Sequence, residues 1–379
     1  MNKKYISALA TFTGTIIGSG FFALPYVASQ SGLLIMLIYF VVVGSTILAA
    51  GLLYGQVVTA SGDARRLPGY AEMYLGKKTK NVVFFTLTLG LIGTLLSYLI
   101  IGGEFLAGLF QPLLGGPLIL YAFVYFAFGA FFIFKDARTI ARVEIIMMIL
   151  FFLLVILFMF FGFPHINWEN LKVPSKNIFL PFGVLTFSLW GLSVVPELKE
   201  MLKGEESKMK GIMIWGVIIS AIFYILFILL VLGITGVNTA PQAISGLVGI
   251  LGEKIILFSY IFGFLATFTS FITLGLVLKK IFWYDYGIPK HFSWFFATFI
   301  PLALYLLGMK SFINIIGVTG AFMLGIEGIV IFLICLRAKK ACLGKTAYNF
   351  WMPTPAKYFY ILIFATGVVF EIINLLKKL

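Results

Sequence analysis

The sequence predicts an all-α integral membrane protein. It has eleven transmembrane helices: two five-helix repeats of inverted topology, plus one extra helix at the C-terminal end. Three observations carry this. First, 61% of the 379 residues are hydrophobic and 11% charged, with a mean hydropathy of +1.08, whereas soluble domains hold about half apolar and a quarter charged residues. Second, apolar stretches near the roughly 20 residues that cross hydrocarbon recur along the chain. Third, the first and sixth stretches are interrupted in the same way, which marks the start of each repeat.

The stretches fall at about 5–28, 32–60, 82–110, 117–134, 141–162, 178–198, 211–236, 254–279, 292–308, 311–336 and 357–376. The first carries Gly and Pro and ends in no small-residue cleavage site, so it reads as a retained helix, not a signal peptide. The fifth holds no lysine, and its charges are Arg142 and Glu144 near its start. Between the seventh and eighth, residues 237–253 leave room only for a short surface helix. The tenth carries Glu327, the third Glu104 towards its end, and the eleventh Glu371. The longest polar intervals, 61–81 and 337–356, are too short for a soluble domain. The whole of 1–379 is therefore one membrane domain, with repeats at about 5–162 and 178–336 and the extra helix at about 357–376.

Charge sets the orientation. With the N-terminus inside, the inner intervals hold 22 Lys and Arg and the outer ones 6. Cytoplasmic loops carry such an excess. The expectation is a multi-pass protein of the cell membrane, N-terminus cytoplasmic and C-terminus extracytoplasmic. Tyr5, Trp168, Trp283 and Trp351 fall near helix ends, where aromatic residues line the interface. The net charge of +14 would suggest nucleic acid in a soluble protein. Here it reports orientation, so the lipid bilayer is the expected partner and nucleic acid is not. Cys335 and Cys342 form neither a disulfide framework nor a metal cluster.

Enzymatic readings fail. Gly344-Lys345-Thr346 resembles the end of a phosphate-binding loop, but Lys339 stands where its first glycine is required. The two histidines, His165 and His291, are distant in sequence and lie in loops on opposite sides. No cofactor is expected.

The interrupted helices read ATFTGTIIGSGFFALPYV and FGVLTFSLWGLSVVPELKEM, each with a glycine five residues before a proline: Gly20 and Pro25, Gly191 and Pro196. Both residue types weaken helices, and irregular backbone at membrane depth is tolerated where it lines a cavity. Matched breaks in corresponding positions of two halves point to a binding site between them.

These segments also carry a resemblance. GTIIGSGFFALPYVASQSGLL, SYLIIGGEF (97–105), FSLWGLSVVPELKEM (187–201) and ATFTSFITLGLVLKK (266–280) resemble helices one, three, six and eight of the amino acid/auxin permease family. That family lies within the amino acid–polyamine–cation superfamily. The resemblance implies the LeuT-type five-plus-five fold and alternating access, in which helices 1, 2, 6 and 7 rock against 3, 4, 8 and 9. The implied function is a symporter importing a neutral L-amino acid with Na⁺ or H⁺. A second class of the same fold, an amino-acid-sensing receptor subunit resembling spore-germinant receptor components, would bind without transporting.

Under that reading Ile17, Gly18, Ser19 and Gly20 would aim backbone N–H groups at the substrate carboxylate from the positive end of a half-helix. Ser188, Leu189, Trp190 and Gly191 would offer carbonyls to its ammonium group, with Trp190 as wall or gate. Tyr98 is a further lining candidate. By resemblance to sodium-coupled members, a cation would sit among Gly14, Ile17, Ala266, Thr269 and Ser270, five neutral oxygens suited to a hard monovalent ion. Proton-coupled relatives can place a helix-five lysine there, so its absence favours Na⁺, with H⁺ the rival. Ionisable groups inside a membrane are functional candidates by default, which makes Glu327, and after it Glu104, the proton or gate residues.

Overall fold

The computed structural model describes residues 3–61, 65–135, 140–247, 250–338 and 346–378. Cys342 and most of the Gly344-Lys345-Thr346 segment fall outside these residues. So do the side chains of Arg142 and Glu144. Among the described residues all regular structure is helical.

The first predicted span is two helices, α1 (Lys3–Ile16) and α2 (Gly20–Ser31), bent by 47° about a three-residue break. It is followed by α3 (Leu33–Ala60), a short α4 (Leu67–Leu75), and the 38-residue α5 (Lys77–Leu114). Next come α6 (Leu118–Phe134) and α7 (Ile140–Gly162). The sixth span is split into α8 (Leu180–Ser188) and α9 (Val195–Met201). Then α10 (Met209–Thr235), α11 (Glu253–Lys280) and α12 (Lys290–Leu306) follow. The tenth is α13 (Phe312–Val318), a π-helical turn at Thr319–Leu324 and α14 (Gly325–Ala338), and the last is α15 (Thr354–Lys378).

Seven of these segments are long and apolar enough to cross a membrane, eight with the bent pair α1–α2. Leu118–Phe134 and Ile149–His165 are apolar but shorter. They and the 17-residue α12 stand where the fourth, fifth and ninth crossings were expected. Residues 237–253 depart from expectation. Among the described residues they hold two short 3₁₀ turns in place of a helix, with Ala243, Ile244 and Leu247 fully buried and Val237 and Ile250 exposed.

The long α5 is the central element, lying against α4, α6, α11 and α12. Lysines fasten several helix ends. Lys279 is buried and donates to Ile133 O at 2.9 Å and Phe134 O at 3.4 Å, at the C-terminal end of α6. Lys199 donates to Val58 O (2.8 Å) and Ser61 O (2.6 Å), at the end of α3. A helix leaves its last four carbonyls without partners and its C-terminus negative, so an ammonium there meets both needs. Tyr348 binds α3 two turns further in, donating to Leu52 O at 2.7 Å.

Candidate substrate and ion site

The break in the first span occupies Ile17, Gly18 and Ser19, as the glycines predicted. Ile17 N–H still reaches Thr13 O (2.9 Å), but Gly18 N–H turns back to Ile16 O (2.9 Å). Among the described residues no backbone N–H donates to the carbonyls of Gly14 or Ile17, and the N–H groups of Ser19 and Gly20 reach no backbone carbonyl. The break thus frees acceptors on the α1 side and, at Gly20, a donor on the α2 side, as half-helix ends must, while the Ser19 N–H is met by the Tyr98 hydroxyl.

The second break is longer. It begins at Leu189, passes through Trp190 and Gly191, and takes a 3₁₀ turn at Leu192–Val194 before α9 starts. Ser188, expected in the break, is the last residue of α8. The matched Gly–Pro spacing therefore has two outcomes. Pro25 lies inside α2, whereas Pro196 sits in the first turn of α9, where its fixed φ suits a helix start and its missing N–H costs nothing.

The two breaks face one another at close range. A Cβ on Gly20 would come within 2.8 Å of Ser188 Cβ, and one on Gly191 within 2.9 Å of both Ile16 Cγ1 and Phe12 Cε2. Hydroxyls from α5 complete the first break: Ser97 Oγ lies 3.3 Å from Ser19 Oγ, and a Cβ on Gly18 would stand 2.6 Å from Tyr98 Oη. Tyr98 has Ser270 and Ser19 as its polar neighbours. It therefore joins the first break to α11.

One cavity, of about 110 Å³, collects most of the remaining candidates. Gly14, Ile17, Ala266, Thr269 and Ser270, the whole expected cation set, line it together with Trp190 and Glu327. Thr269 Oγ1 donates to Ala266 O at 3.1 Å, which leaves the hydroxyl's lone pairs free to accept. The rest of the wall is apolar, with Leu87, Leu91, Phe151, Phe262 and Leu274 prominent. Glu327 is 2% exposed, follows the π-helical turn closely, and its Oε1 makes no hydrogen bond among the described residues. π-turns inside α-helices concentrate at functional sites. At one end the cavity meets Arg66 and Glu197, paired at 3.5 Å. Glu197 lies in α9, on the cavity wall.

Glu104 does not join this group. Its neighbour is Gln242, which lines a second, more polar cavity of about 480 Å³ with Tyr26, Gln30, Asn177 and Lys310. Along α2, the buried Phe21 and Phe22 separate the break at Gly20 from Tyr26 and Gln30 at that second cavity. Phe21 stacks on Phe227 with centroids 4.0 Å apart, and Phe22 meets Phe105 edge-on at 4.7 Å.

Sequence reasoning missed Tyr224 on α10. Its fully buried hydroxyl lies 2.8 Å from Ile16 O and 3.1 Å from Ser188 O, the terminal carbonyls of α1 and α8. Only the fold brings these three residues together, so no local motif could have found them.

Two broken helices facing across a buried polar centre, with a cavity reaching that centre from one side, define a multi-pass membrane transporter. The chain belongs to the tryptophan/tyrosine permease family, which it matches over residues 1–374. It is 26% identical over 346 residues to tyrosine-specific transport system 1 of Haemophilus influenzae, covering 84% of each chain. It is 23% identical over 337 residues to glutamine transporter 2 of Aliivibrio fischeri, covering 85% of this chain and 86% of that one. The crystal structure of MhsT in complex with L-phenylalanine aligns with a TM-score of 0.73 at 15% identity, covering 99% of this chain and 98% of the other. Mhp1, a nucleobase-cation-symport-1 family transporter solved closed with bromovinylhydantoin bound, aligns at 0.69 with 12% identity, covering 98% and 90%. These two likenesses establish the LeuT-type fold. The resemblance to amino acid/auxin permeases therefore holds for the fold and the transporter class, while the family shown is the tryptophan/tyrosine permeases.

Proposed function

We propose that this chain is a symporter that imports a neutral aromatic L-amino acid together with Na⁺. The observation that carries the reading is the convergence of the freed Gly14 and Ile17 carbonyls with Ala266, Thr269 and Ser270 on one cavity. Neutral oxygens of this kind suit a hard monovalent cation. An ion there would tie the break of the first span to α11, and would favour whichever state of the carrier brings those elements together. A ligand shifts a conformational equilibrium only through such differential contact.

The substrate carboxylate would meet the N–H groups of Ser19 and Gly20 at the start of α2, and its ammonium the carbonyl end of α8. An aromatic side chain fits the apolar wall of the cavity and the face of Trp190. It also agrees with the family, with the substrate named for the tyrosine-specific relative and with the L-phenylalanine bound in the MhsT structure. The glutamine relative makes a polar neutral side chain the natural competitor. In this reading the chain crosses the membrane eleven times with its N-terminus inside. The Arg66–Glu197 cavity then opens towards the cytoplasm and the Gln30–Lys310 cavity towards the outside.

Glu327 favours a second reading for the ion. A buried carboxyl with a free oxygen on the same cavity is what proton coupling requires.

Substrate-induced thermal shift of the purified protein, across the twenty amino acids in Na⁺ and then in choline buffer, tests both parts. Stabilisation by tyrosine, tryptophan or phenylalanine only in Na⁺ supports the full reading. Equal stabilisation in both buffers removes Na⁺. Binding without uptake into proteoliposomes would make the chain a sensor.

A further inference from the structure

We propose that Tyr224 is a positioning residue for the substrate ammonium, through the two half-helix ends it holds. This rests on the reading of the chain as an amino acid carrier. α1 and α8 both end near the same point, and each presents its negative, carbonyl-bearing terminus. Two such ends repel and, buried at membrane depth, need donors. The Tyr224 hydroxyl, between Ile16 O and Ser188 O, is the donor the fold supplies.

The arithmetic of lone pairs gives this hydroxyl its role. A phenol carries one proton, so it donates fully to one carbonyl at a time. Ile16 O already accepts from Gly18 N–H at 2.9 Å, and the Tyr224 proton at 2.8 Å fills its second lone pair. Ser188 O, at 3.1 Å, receives no backbone N–H among the described residues. It keeps acceptor capacity, held at a fixed distance from the first break. An ammonium group brings three donors and no acceptor, and a carbonyl at the negative end of α8 suits it. Tyr224 thus spaces the carbonyl end at Ser188 against the N–H groups of Ser19 and Gly20 that would take the carboxylate. That spacing separates an α-amino acid from a simple carboxylic acid.

The ring is fixed for this task. Tyr224 lies near Phe21, with centroids 5.7 Å apart, and Phe21 in turn stacks on Phe227 one turn along α10. Small residues at Gly216 and Ser220 let α10 approach α1, where a Cβ at 216 would stand 3.4 Å from Thr13 Oγ1.

The test is Tyr224→Phe, which keeps the ring and removes the proton. Tyr125→Phe serves as control, removing another fully buried phenol hydroxyl, on α6 and not on α10. Kd is measured by scintillation proximity for L-tyrosine, and by competition for its deaminated analogue 3-(4-hydroxyphenyl)propionate. Tyr224→Phe should raise the Kd for tyrosine about tenfold, the scale of one lost hydrogen bond. It should lower the ligand-free melting temperature, because two buried carbonyls lose their shared donor, yet leave the Kd of the deaminated acid close to wild type, and Tyr125→Phe should leave both ligands unchanged. An unchanged Kd for tyrosine, or an equal loss for both ligands, overturns the proposal. If wild-type protein binds no aromatic amino acid, the functional reading fails first, and the result is distinct from either.

Discussion

The phenol of Tyr98 occupies the room that any side chain at residue 18 would need. A Cβ there would stand 2.6 Å from Tyr98 Oη, and the next nearest atom, Cζ, would be 3.6 Å away. The conflict is therefore with one oxygen. Gly18→Ala must push Tyr98 away from Ser19 and Ser270, at a cost of about 1–3 kcal/mol, and tyrosine affinity should fall by at least tenfold. Adding Tyr98→Phe removes the offending atom, so the double variant should recover the melting temperature of the wild type. A Gly18→Ala variant with normal melting and binding would show that Tyr98 does not sit in the break.

The cation set spans two elements, and its two hydroxyls are the part that can be removed without touching the backbone. Thr269→Ala with Ser270→Ala deletes both from the cavity wall and leaves the Gly14, Ile17 and Ala266 carbonyls in place. Three neutral oxygens hold a hard cation poorly. Uptake should lose its stimulation by Na⁺, while the substrate still binds weakly in choline. Radiolabelled uptake against Na⁺ concentration reads this directly, and an unaltered activation curve would remove the site from α11.

Glu327 offers a clean choice between the two coupling ions. Glu327→Gln preserves shape and both hydrogen-bonding functions of the protonated acid, but cannot give up a proton. With Na⁺ as the coupling ion, the variant should keep at least half of wild-type Na⁺-driven uptake at pH 7 and respond to a Na⁺ gradient as before. Loss of gradient-driven uptake with retained exchange of internal for external substrate would assign the driving ion to this carboxyl.

The first break was legible because its cause is local. Gly18 and Gly20 weaken the helix, and the break spans the residues between Ile16 and Gly20. The second was legible in place but not in length, since the same Gly–Pro spacing leaves Pro25 inside a helix and puts Pro196 at the start of one. The cation candidates came from the resemblance to sodium-coupled members, and the residues it pointed to, on α11 and the first span, line one cavity. What sequence could not show depends on the fold. Tyr224 is 208 residues from Ile16, Arg66 meets Glu197 only on the wall of the folded cavity, and the π-turn at Thr319–Leu324 carries no sequence signature that separates it from ordinary helix. Glu104 read like Glu327, a carboxyl in an apolar run, yet it belongs to the polar cavity beside Gln242.

That π-turn also makes a test of the packing that supports the site. α8 crosses the tenth span backbone against backbone. A Cβ on Gly183 would stand 3.0 Å from the Gly317 carbonyl carbon, and one on Gly320 would stand 2.8 Å from Phe187 N. No side chain is involved that could swing aside, so the helices themselves must part. Small residues permit such approach in membranes, where close packing does the work that hydrophobicity does in water. Gly317 stands in the same crossing, but a Cβ there would meet nothing within 4 Å. Gly183→Ala and Gly320→Ala should each cost about 2 kcal/mol or more by overpacking, seen as a lower melting temperature in detergent. Gly317→Ala should melt like the wild type. Because α8 carries Ser188 at its end, the two damaging variants should also weaken amino acid binding, and the tolerated one should not. Equal behaviour of all three would mean that α8 and the tenth span are not held this close.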